Sequence, residues 1–88
     1  MLFMDIITWE PKDNDEVTRR YSEWSWPDSV EVISEWTDLS TCRYVAVVDI
    51  KDSESYAIAA LPWKDICHIE TVPVMETPKL MAMMSEYV

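Results

Sequence analysis

Glycine is absent from this 88-residue chain. Average usage of roughly 7% would supply about six. Phosphate loops of the Walker type and Gly-x-Gly-x-x-Gly dinucleotide turns need backbone that glycine supplies most cheaply, so the absence argues against nucleotide-dependent enzymes on those folds. Turns must be built from Asp, Asn, Ser and Pro instead. Positive charge is also scarce: 7 Lys and Arg stand against 17 Asp and Glu, a net charge of −10. Affinity for nucleic acid and for anionic membranes comes mostly from Lys and Arg, so neither is an expected partner. Arg19-Arg20 is a small basic pair at most. The acid serves solubility and leaves a neutral or cationic partner open. No apolar run reaches the roughly 18 residues a membrane helix needs. The opening Met1-Leu2-Phe3-Met4-Asp5 has no basic region before its apolar residues, so no signal peptide is expected. Cys42 and Cys67 lack metal-type or redox-type spacing and read as reduced thiols in a cytoplasmic protein. No cofactor is expected.

What is present is apolar and aromatic. Hydrophobic residues make up 49% of the chain, with 5 Trp, 4 Tyr and 6 Met, which is too apolar for disorder. The length suits a single domain over residues 1–88. A chain this short buries only about 60–65% of its unfolded surface, so a lone monomer is marginal and a homodimer is the expected partner state.

The chain repeats itself. Trp26-Pro27-Asp28-Ser29-Val30-Glu31-Val32-Ile33-Ser34 is echoed 37 positions later (63 − 26) by Trp63-Lys64-Asp65-Ile66-Cys67-His68-Ile69-Glu70-Thr71. The offset aligns Trp26 with Trp63, Asp28 with Asp65, Val32 with Ile69 and Ser34 with Thr71. Each copy reads as a helix exit leading into a strand, the mark of a split β-α-β unit used twice.

Local patterns agree. Residues 2–9 form a β-like run ended by Pro11. Asp13 and Glu16 fit a capping box, and Val17, Tyr21 and Trp24 form an i, i+4, i+7 stripe on a helix closed by Pro27. Glu16/Arg20 and Arg19/Glu23 are spaced for ion pairs on its solvent side. Residues 30–36 alternate as a half-exposed strand, residues 37–41 form a polar turn, and residues 43–50 form a more buried strand. Asp52 and Ser53 are cap candidates for a second helix with a Tyr56, Ala59, Ala60, Trp63 stripe, cut short by Pro62. Residues 68–75 form a fourth strand, and Thr77-Pro78 starts a C-terminal helix. Leu80, Met83, Met84 and Tyr87 share one face of it.

The expected fold is α+β: a ferredoxin-like β-α-β-β-α-β with a four-stranded antiparallel sheet ordered 4-1-3-2, plus a C-terminal helix. The more apolar strand faces (Leu2, Met4, Ile6; Val30, Val32; Cys67, Ile69) are assigned to the helices. The mixed faces (Asp5, Ile7, Trp9; Glu31, Ile33, Glu35; His68, Glu70, Val72) are left to a second copy. Packed sheet to sheet, two copies form a dimeric α+β barrel with a partly polar lumen. Alternation does not decide whether Arg43 or Tyr44 faces that lumen.

Four stretches carry a family resemblance: Met1-Leu2-Phe3-Met4-Asp5-Ile6, Trp36-Thr37-Asp38-Leu39, Leu61-Pro62-Trp63 and Val72-Pro73-Val74-Met75-Glu76. Together they resemble domain-of-unknown-function family 3303. That family is similar to the dimeric α+β barrels, a superfamily that includes cofactor-free monooxygenases, small isomerases and ligand-sensing domains. No activity comes with the resemblance, so no catalytic residue is carried over. Some members have glycine in the central hairpin, where this chain has Ser40-Thr41-Cys42.

Candidate chemistry is sparse. His68 is the one histidine, the residue type suited to proton transfer near neutral pH. Beside Glu70, with Asp5 on a neighbouring strand, it reads as a general base or a facial metal triad, or simply as a hydrogen-bonded strand histidine. No metal site is assigned, because ligand spacing is lacking. Trp9, Trp36 and Tyr44, with His68, are candidates to line a ligand pocket, or else to fill a dimer interface. Cys42 and Cys67 read as structural rather than nucleophilic. Met75, Met81, Met83 and Met84 suggest a docking helix more than a soft-metal site. Two functions follow: a small dimer that binds an organic ligand in its lumen or acts as an interaction module, or a cofactor-free enzyme of the monooxygenase or isomerase type using His68 with Asp5 or Glu70.

Overall fold

The apolar run after Met1 forms β1 (Leu2–Trp9) in a computed structural model that describes residues 1–87. Pro11 cannot donate to a strand ladder and opens a short 3-10 turn, Pro11–Asp13. That turn runs directly into α1 (Asn14–Ser22). Asp13 occupies the N-cap position, but with φ −97° and ψ 2° it is not extended, and its side chain makes no cap hydrogen bond. Glu16 does not close the expected box either; Arg19 and Arg20 hold its carboxylate at 2.6 and 3.0 Å. The helix ends at Ser22, well before Pro27, so Trp24 lies on the turn that follows.

Strands β2 (Val30–Thr37) and β3 (Arg43–Ile50) form the central hairpin. Its tip is closed without glycine. Asp38 Oδ1 accepts from the Ser40 backbone N–H at 2.7 Å and from the Ser40 hydroxyl at 2.6 Å, while Arg43 donates to Oδ2 at 2.7 Å. Among the described residues no backbone φ is positive, so the chain never needs the conformation that glycine makes easy. Asp52 caps α2 (Ser53–Ala60) by accepting from Ser55 N–H at 2.8 Å. Pro62 turns the helix into a 3-10 segment, Leu61–Trp63, before β4 (Cys67–Pro73). The last element is α3 (Thr77–Tyr87).

The four strands make one antiparallel sheet in the order β2-β3-β1-β4, which is the expected 4-1-3-2 order. Asp5, at the centre of β1, sits opposite Ala46 on β3 and Thr71 on β4. The fold is therefore the α+β, ferredoxin-like β-α-β-β-α-β with an added C-terminal helix. Helices α1 and α2 cover one face. Beneath them lie two clusters, one around Val30, Ala46, Val48 and Ile50 and one around Val17, Trp63 and Cys67.

Two face assignments made from alternation are corrected. On β1 it is Asp5, Ile7 and Trp9, not Leu2, Met4 and Ile6, that face the helices; all three line a cavity with α1 and α2 residues. Hydrophobicity misleads here because Asp5 carries its own hydrogen-bond partner and can be buried. On β2 the register shifts between Val32 and Ser34. Val30 and Val32 pack toward the helices as expected, but the bulge places Glu35 opposite Ala46 and Thr37 opposite Tyr44. Glu35 thus moves to the helix side, and Trp36 turns to the open side, 69% exposed. The same pairing resolves β3: Tyr44 faces the helices, and Arg43 borders the open face beside Met4, Ile6 and Trp36.

The expected stripe on α3 is present in sequence but covers nothing: no residue of the helix is buried, and Leu80, Met83 and Met84 are each more than 40% exposed. No helix among the described residues is long and apolar enough to cross a membrane.

Candidate functional site

Two alanines of α2, Ala59 and Ala60, put only methyl groups on the wall of a gap where larger side chains would join helix to sheet. The gap is a cavity of about 270 Å³ between the helices and the sheet. Ile7, Val17 and Ile69 line its apolar middle. Its aromatic walls come from elements far apart in sequence. Trp24 meets Trp26 at 6.0 Å and Trp63 at 5.5 Å between ring centroids, edge to face in both cases. The Trp26/Trp63 echo therefore has a structural meaning: the two corners of the repeat meet through one intervening indole.

A carboxyl group borders this apolar space. Asp5 is only 6% exposed and lines the cavity. Thr71 on β4 donates to its Oδ1 at 2.7 Å. The Thr71 hydroxyl has one proton, and a carboxylate can only accept, so the 3.0 Å contact from Tyr56 on α2 is donated by Tyr56. Tyr56, Thr71 and Asp5 form a hydroxyl relay from helix to sheet. Burial pushes the Asp5 carboxyl above the usual carboxylate range, and the Thr71 hydrogen bond opposes that shift only in part. No Lys, Arg or His is among the described residues lining the cavity.

A second carboxylate stands outside the cavity lining. Glu35, carried to the helix side by the β2 bulge, accepts from Tyr44 at 2.5 Å and from Tyr21 at 2.9 and 3.0 Å. The two rings lie 5.8 Å apart, and both line the cavity. Burial and then the Glu35 bond push the Tyr44 hydroxyl far above its ordinary value, and Tyr21 is raised by the same causes. Beyond them Trp9 Nε1 donates to Asn14 Oδ1 at 3.0 Å, and the Cys42 thiol reaches the same oxygen at 3.8 Å. The Trp26 indole N–H is buried without a hydrogen-bond partner among the described residues; it lies close enough to Tyr44 to favour the charged phenol slightly.

The sequence candidates are divided between the two faces of the sheet. Trp9 and Tyr44 come together in the cavity with Asp5. Trp36 lies on the open face. His68 pairs with Thr8 and Glu70 with Ile6, while Asp5 pairs with Thr71. Strand neighbours alternate in direction, so His68 and Glu70 point away from the face that holds Asp5. The His68–Asp5 grouping does not form within the chain. Among the described residues, no group of three His, Cys, Asp or Glu is placed to hold a metal. Both cysteines are free; Cys67 is buried and its thiol is raised by burial. Sequence reasoning missed Tyr21, Glu35, Tyr56 and Thr71. For Thr71 a signal existed, because the 37-residue echo sets it opposite Ser34. For Glu35 none did, because the bulge leaves no mark in composition.

The fold and this partly open pocket define the class: a ferredoxin-like α+β domain with an aromatic cavity between helices and sheet. The family model for a domain of unknown function, DUF3303, matches residues 1–88, and the chain belongs to that family. No curated protein and no solved structure matches the chain.

Proposed function

We propose that this protein binds a small organic molecule of one or two rings in the cavity between its helices and its sheet. One observation supports this above the rest: about 270 Å³ of space walled by Trp and Tyr, with a buried carboxyl at its edge. A close-packed core leaves few voids larger than a water molecule. A cavity of about 150 Å³ holds one benzene. The space here is of the size that suits a small ligand rather than a packing defect, and lies near the lower end of ligand pockets. This site lies within one chain, on the helix side, rather than in a lumen between copies.

The test fills the space. Ala59→Leu adds volume at the α2 wall. A panel of one- and two-ring compounds is titrated by intrinsic Trp fluorescence and ligand-observed NMR. Saturable binding to the wild type, weakened at least about tenfold in Ala59→Leu, is the expected result. Equal binding by both proteins sinks the reading.

The open sheet face supports a second copy as partner. Its centre is apolar, with Leu2, Met4 and Ile6 on β1, Val45 and Val47 on β3 and Val72 on β4. Sheet-on-sheet packing of two such faces covers them, and α3, with its exposed Met and Leu residues, lies free to reach across.

A further inference from the structure

We propose that the ligand of this cavity is an organic amine, its protonated nitrogen set against Asp5 and its apolar ring held among the tryptophan and tyrosine rings. The inference rests on the cavity-binding reading above and adds the charge and chemistry of the occupant. Its first support is charge. Asp5 is buried and has no cationic partner among the described residues, and no Lys, Arg or His is among those lining the cavity. A buried carboxylate without a counter-ion is costly, and a cation brought by the ligand removes that cost. A ligand carboxylate or phosphate would meet Asp5 with nothing to offset the repulsion.

Hydrogen-bonding capacity is the second support. The donors around Asp5 are already in use: Thr71 gives its proton to Asp5 and Tyr56 gives its own to Thr71. Farther off, Tyr21 and Tyr44 donate to Glu35 and Trp9 donates to Asn14, which leaves the Trp26 indole N–H as a lining donor without a partner among the described residues. What remains over Asp5 is acceptor capacity, which an N–H donor satisfies. The walls are the third support. Indole and phenol faces attract a cation that has left water, most strongly for Trp. Burial also raises the Asp5 pKa, as expected of a carboxyl waiting for a counter-charge.

Three probes of one shape test this: phenethylamine, 2-phenylethanol and 3-phenylpropionate. Each is titrated against the full chain and against Asp5→Asn, by Trp fluorescence and ligand-observed NMR. The amine should bind the wild type at least about tenfold more tightly than the alcohol, as a charge-assisted hydrogen bond requires, and the propionate should not bind. In Asp5→Asn the amine should fall to within about twofold of the alcohol, whose own affinity stays put. Alcohol and amine binding the wild type equally overturns the amine assignment and leaves the cavity reading standing. No saturable binding by any of the three overturns both. A variant that does not fold, judged by circular dichroism, leaves the decision to the wild-type series, in which a missing amine preference still sinks the proposal.

Discussion

The Thr71 hydroxyl donates to Asp5 at 2.7 Å, joining β4 to β1 beneath the helices. His68, three residues earlier on the same strand, points the opposite way. That one alternation places the histidine and the buried acid on opposite faces of the sheet.

Asp5 should lower stability at neutral pH. Its folded-state pKa lies above its unfolded value, so between the two the folded protein holds the extra proton. Stability therefore falls as pH rises through that interval and stays lower above it. Asp5→Asn lacks this loss. Its melting temperature should exceed that of the wild type at pH 7, and the gain should vanish below the ordinary carboxylate value of about 3.9. A variant less stable than the wild type at pH 7 would contradict the assignment.

Thr71→Val removes the one side-chain donor recorded to the buried Asp5 carboxyl. Leaving that acceptor without its partner should cost roughly 1–3 kcal/mol in denaturant unfolding. Combined with Asp5→Asn the cost should shrink, because the two residues act as one unit. Strict additivity of the two changes would show that the relay is not coupled.

Glu35→Gln tests the bulge. Tyr21 and Tyr44 are raised first by burial and then by Glu35. Removing the negative charge should lower the pH at which tyrosinate absorption grows in, while the burial part of the shift remains. An unchanged titration would mean that Glu35 does not sit on the helix side.

Met4→Asp places a charge in the middle of the open face. Wild type should sediment at twice the 10.3 kDa chain mass, and the variant at the single-chain mass with unchanged circular dichroism. A wild-type monomer at micromolar concentration rules out the second copy as the cover.

His68→Ala should leave cavity binding within about twofold of the wild type, because the ring lies on the far face of the sheet from Asp5. Lost binding with the fold intact would return His68 to the site.

Much of the fold was legible in the chain. The bounds of β1 and β3 follow from apolar runs between turn residues, and the end of α2 follows from Pro62. The 37-residue echo showed the doubled β-α-β unit, and the strand order comes with that topology. The site was legible only in pieces. Trp9, Tyr44 and Asp5 were picked out, but with His68 and Trp36 as companions, and those two face the other side.

The sequence by itself determined the periodicities, the turns and the topology, because these depend on neighbours a few residues apart. Only the tertiary structure decided which face of β1 meets the helices. Both faces are apolar enough to pack, and the choice rests on whether Asp5 finds a partner across the sheet; Thr71, 66 positions away, is that partner. The β2 bulge is likewise a compromise between strands: one extra residue brings Glu35 to two tyrosine hydroxyls from different elements. Local pattern carries no record of such a pairing, because its energy exists only once the elements have come together.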